Sequence, residues 1–127
     1  MRVGAASAAS PLASQRSAVV LDALTDFVRR EVGRQRRAAE IEGKRLPYDH
    51  PDLVLRGWGN PNAVASRIVQ TAIASVGREQ SQLLAAREAI RRGFTLMDRV
   101  LGGLPPVSEE TRKLVELKFE KFFHQVY

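Results

Sequence analysis

Cysteine is absent from the 127 residues, tryptophan occurs once, histidine twice, and aromatic residues make up 6% of the chain. Without thiols there is no disulfide, no thiolate metal site and no cysteine nucleophile, which suits an intracellular, cytoplasmic protein. Long apolar runs are lacking too, and nothing approaches the roughly 20 residues needed to cross a bilayer as a helix. With only His50 and His124, more than seventy positions apart, neither a metal-binding spacing nor a histidine-based acid-base site is expected. Asp49-His50-Pro51-Asp52 reads as a polar turn rather than a ligand cluster. No glycine-rich phosphate fingerprint follows a strand, because no alternating run long enough for a strand occurs. We therefore expect neither an enzyme nor a cofactor.

What the chain does have is helical periodicity and positive charge. Lys and Arg number 20 against 14 Asp and Glu, for a net charge of +6, so polyanions are plausible partners. The hydrophobic share of 44% can supply the core of one domain, mostly aliphatic. The expected fold is all-α, a single elongated helical domain over residues 17–127 behind a disordered Ala/Ser-rich tail at 1–16.

A first helix is expected over residues 17–42, where Leu21, Leu24, Val28 and Val32 fall on one face and Val20 and Phe27 widen it. Its second half is basic: Arg29, Arg30, Arg34, Arg36 and Arg37 crowd little more than two turns, suited to sequence-blind phosphate contacts. Residues 43–61 hold Pro47, Pro51 and Pro61 together with Gly43, Gly57 and Gly59, and are expected as a loop with Trp58 as a packing anchor.

Asn60-Pro61 announces the next helix, with Asn60 as N-cap and Pro61 at the first helical position. One long helix is expected over 62–101. Val64, Ile68, Ile73 and Val76 mark its early face; Leu83, Ile90, Phe94, Met97, Leu101 and Leu104 form a heptad-like seam that asks for a partner helix. Gly77 and Gly93 are candidate sites of a bend or break, and Gly102-Gly103 with Pro105-Pro106 ends the helix within a turn at 102–107. A short last helix is expected over 108–126, capped by Ser108, with Glu109 and Glu110 in its first turn and an aromatic face of Phe119, Phe122 and Phe123. Its Arg112, Lys113, Lys118 and Lys121 are balanced by Glu109, Glu110, Glu116 and Glu120.

The pieces Leu96 to Leu101, Leu104-Pro105, Glu109-Glu110 and Leu114-Val115-Glu116-Leu117-Lys118-Phe119 resemble the start of the helix-turn-helix region in phage late-gene transcriptional regulators of the RinA and ArpU type. Those regions are themselves similar to region four of bacterial sigma factors, and Asn60-Pro61-Asn62-Ala63 looks like the family's step into its central helix. The resemblance covers Val20 to Tyr127 in organisation. It implies a non-catalytic, DNA-binding transcription regulator whose recognition helix would follow Tyr127, so the chain is expected to stop short of its reader. Phosphate contacts would then come from the arginines of the first helix and from Arg112, Lys113, Lys118 and Lys121. The expected partners are DNA, a second copy of the chain and RNA polymerase. From another class comes a helical assembly module, such as a small phage packaging-type protein, associating through Leu83, Ile90, Phe94, Met97 and Leu101 or through Phe119, Phe122 and Phe123.

Overall fold

The computed structural model describes the backbone of residues 4–44 and 60–126, with side chains over most of 18–40 and 60–125. The described residues are all-α: α1 (Gly4–Lys44), α2 (Pro61–Val76), α3 (Gln80–Leu101) and α4 (Pro106–Val126). The anchor assigned to Trp58, the polar turn at His50 and most of the loop lie outside the described residues.

Helix α1 starts well before the expected position. Its backbone is helical from Gly4, so residues 4–16, expected as a disordered tail, continue the helix. At 1.5 Å per residue its 41 residues extend about 60 Å. Leu24, Val28 and Val32 are buried as the periodicity predicts. The inward stripe then continues through polar residues: Glu31 and Gln35 are 1% and 0% exposed, and Ala38 follows them.

The single helix expected over 62–101 is two helices. Asn60 caps the first as predicted, its side-chain oxygen accepting from the backbone N–H groups of Asn62 (2.9 Å) and Ala63 (3.2 Å), with Pro61 leading the first turn. The break falls at Gly77, where φ is +83°, a region that side chains with a Cβ rarely adopt. The apolar faces on either side of it therefore belong to different helices.

The expected bend at Gly93 does not occur, since α3 runs through it without interruption. A Cβ there would lie 2.8 Å from both the Thr25 carbonyl oxygen and the Val28 Cβ. Glycine at this position lets α1 and α3 approach closely, and buried Ala86 and Ala89 keep the same face low. Thr25 Oγ1 donates to the Ala89 carbonyl across the contact at 2.8 Å.

Gly102 ends α3 in the left-handed conformation at φ +68°, as the sequence predicts. Ser108, however, is not the cap of α4. That helix begins at Pro106, and the Pro105 carbonyl accepts from Ser108 and Glu109 N–H. Ser108 is fully buried and its hydroxyl donates to Gln35 Oε1 at 2.8 Å, so it serves packing between α4 and α1.

One core unites the four helices. Leu24, Val28 and Val32 of α1 meet Val64 and Ile68 of α2, Leu83, Ile90 and Phe94 of α3, and Val115 and Phe119 of α4. The heptad-like seam has thus found its partner within the chain. Met97, Leu101 and Leu104 lie partly buried against this core, as do Phe122 and Phe123.

Candidate functional site

Helical geometry sorts the five arginines of α1 by what lies beside them. Arg29 reaches Asp26 at 3.6 Å and Arg36 reaches Glu40 at 3.4 Å, both exposed pairs one turn apart in sequence. Arg34 is drawn towards the interior, where its Nη1 donates to Glu31 Oε2 at 2.9 Å. The other Glu31 oxygen accepts from Arg67 Nε of α2 at 2.8 Å, so this buried carboxylate joins two helices. Arg34 is therefore a structural residue as well as a surface cation. Arg30 and Arg37 are exposed and make no ion pair among the described residues. Seven positions apart, they lie on the same side of α1, about 10 Å from one another along its axis.

The four candidates on α4 do not join this stripe. Arg112 Nη2 is held by Glu109 Oε2 at 2.7 Å. With exposed Lys113 it borders a shallow groove shared with Arg91, Thr95 and Glu116. Lys118 and Lys121 border a different groove, beside Val69, Gln70 and Phe122 between α2 and α4. The α4 cations are divided between two faces of their helix, and neither groove contains an α1 arginine.

Sequence reading passed over the arginines of α3. Arg91 is clamped by two carboxylates: Nε and Nη2 donate to the two oxygens of Glu116 at 2.8 and 2.6 Å, while Nη1 donates to Glu88 at 2.7 Å. The two-pronged hydrogen bond to Arg91 pulls the Glu116 carboxyl below its ordinary value, and the nearby Arg87 and Arg112 charges act in the same direction. In return, the Glu116 hydrogen bond keeps the Arg91 guanidinium protonated still more firmly. Arg87 stands over the Phe123 ring with its guanidinium carbon 5.8 Å from the centroid. Phe123 in turn stacks on Phe119 at 6.0 Å and meets Phe122 edge-on at 6.3 Å. The residues expected as an association surface are thus a small aromatic cluster that seats α4. Arg78, in the turn between α2 and α3, lies 5.6 Å from the Phe122 centroid.

Arg91 meeting Glu116, and Arg87 meeting Phe123, show that α3 and α4 run antiparallel. They leave between them an open groove of about 1230 Å³, lined by Arg87 and Gln80 on one side and by Leu117, Lys121, Phe123 and His124 on the other. Only the pairing of α3 with α4 could have revealed it, because its walls are some thirty residues apart in sequence.

Among the described residues no three His, Asp or Glu side chains gather as a metal ion would require, and no helix is long and apolar enough to cross a membrane. No protein-family model, curated protein or solved structure matches the chain.

Proposed function

We propose that this chain is a non-catalytic DNA-binding protein of the transcription-regulator kind, holding the phosphate backbone through the outer side of α1. The observation that carries the reading is the pair Arg30 and Arg37, exposed, on one side of a long helix and without acidic partners among the described residues, in a chain of net charge +6. Over the roughly 10 Å between them a DNA strand presents about three phosphates. Arg29 and Arg36 flank the pair, and their exposed contacts to Asp26 and Glu40 are weak enough to exchange for phosphate. A role in transcription, with RNA polymerase as a further partner, rests on the resemblance to phage late-gene regulators. The α4 lysines and arginine are secondary in this reading, because they are divided between two grooves and partly engaged with Glu109.

The test is binding of a mixed-sequence duplex followed over a range of salt. A log-log slope of about −2 to −4 supports two to four phosphate contacts, whereas affinity independent of salt refutes them. Assembly through the heptad-like seam is less well supported, since Leu83, Ile90 and Phe94 are each 0–1% exposed within one chain.

A further inference from the structure

Two arginines of α3 repeat the arrangement found on α1. Arg92 and Arg99 are exposed and seven positions apart, so they share the outward side of α3, about 10 Å from one another along its axis. Gly93 lets this helix lie closely against α1 at Thr25 and Val28. Arg92 reaches across the join, its Nη1 3.8 Å from Asp22 Oδ1 of α1. At roughly 100° per residue, Asp22 is within about a quarter turn of Arg29, Arg30 and Arg37. The α3 pair therefore stands beside the same outward side of α1 that carries the proposed phosphate contacts.

The carboxylates beside this pair are engaged elsewhere or weakly held. Glu88, one turn before Arg92, accepts from Arg91, and Asp98, next to Arg99, accepts from Leu104 N–H. Asp22 and Arg92 are both well exposed at their 3.8 Å separation, a contact that exchanges for phosphate as readily as that of Arg29 with Asp26. Arg99 makes no ion pair among the described residues. Together with Arg30 and Arg37, two rows of guanidinium groups thus stand on neighbouring helices. A single strand presents one line of phosphates, which one row is enough to follow. Two rows, on packed helices whose axes lie about 8–10 Å apart, suit two lines of charge side by side, as the backbones flanking a duplex minor groove roughly 6 Å wide provide. We propose that the chain binds double-stranded in preference to single-stranded DNA, with Arg30 and Arg37 on one backbone and Arg92 and Arg99 on the backbone across the minor groove. This rests on the reading of α1 as a phosphate-binding helix and adds the second strand to it.

The test is anisotropy of a fluorescein-labelled mixed-sequence duplex and of one of its strands alone, each titrated with the full chain over a range of salt. The duplex should bind more tightly than the single strand. Arg92→Gln with Arg99→Gln should make the duplex log-log slope shallower by about 2 and leave the single-strand slope unchanged. Both side chains are exposed, so folding should be unaffected. Arg99→Gln alone should remove about one unit of slope, which keeps the test valid if the double variant does not fold. An unchanged duplex slope, an equal loss on duplex and single strand, or tighter binding of the single strand would each overturn the proposal. A duplex slope that falls with Arg30→Gln and Arg37→Gln but not with the α3 substitutions removes the second strand and leaves the α1 reading standing. A parent chain whose duplex affinity ignores salt overturns both.

Discussion

Glycines at two positions in similar helices have opposite tasks, and substitution by alanine separates them. At Gly93 a Cβ would press on the Thr25 carbonyl and on Val28, neither of which is the free end of a flexible chain. Gly93→Ala should therefore lose about 2 kcal/mol despite alanine's better helix propensity. At Gly33 nothing lies within 4 Å of the same added atom, so Gly33→Ala should gain about 0.5–1 kcal/mol. Urea unfolding of both variants measures the contrast. Buried Glu31 is the other critical residue. Glu31→Gln keeps the shape but removes the charge that Arg34 and Arg67 share, and should cost about 2 kcal/mol in the same assay. Sequence alone located Gly93 but misread it as a bend, because only the partner helix shows what the missing Cβ avoids. Glu31 and Gln35 gave no apolar signal for burial; their interior places follow from partners on α2 and α4, distant in the chain.

At the scale of helices, the signals written locally were legible and those written between elements were not. Asn60-Pro61 and Gly102 carry their capping chemistry in their own residue types, and they begin α2 and end α3 as expected. Ser108 looked like a cap by the same logic, yet Pro106 already supplies a helical first residue and Gln35 claims the hydroxyl. The long helix expected over 62–101 divides at Gly77, one of the two glycines the sequence offered for a bend or break; that this one breaks the chain and Gly93 does not is set by its positive φ. The Arg91–Glu116 clamp between α3 and α4 has a consequence in acid. Glu116 has a folded value below its ordinary one near 4.5, so its contribution is complete above that pH and fades as the pH falls through the depressed value. Both partners are about a third or more exposed, which limits the effect to roughly 0.5–1 kcal/mol. Glu116→Gln should lower stability at neutral pH by that amount and flatten the decline below pH 4.5. Thermal melts of the two proteins from pH 7 to pH 3 check it; parallel declines would show that the clamp contributes nothing.

For the whole molecule, the apolar periodicities that suggested association are accounted for by one core shared among α1, α2, α3 and α4. Outward, beside scattered apolar side chains such as Val19, Val100 and Leu117, lies charge that is unevenly partnered. Residue counting made five equal candidates of the α1 arginines; their neighbours separate Arg30 and Arg37 from Arg29, Arg34 and Arg36, which all have carboxylates within reach. The central claim, that α1 holds DNA by its phosphates, is tested most directly by the salt dependence of duplex binding for the chain and for a variant carrying Arg30→Gln with Arg37→Gln. Both side chains are exposed, so folding should be unaffected. The account predicts weaker binding to every sequence alike and a log-log slope shallower by about 2, one unit for each phosphate contact removed. A slope unchanged from that of the parent chain would contradict it.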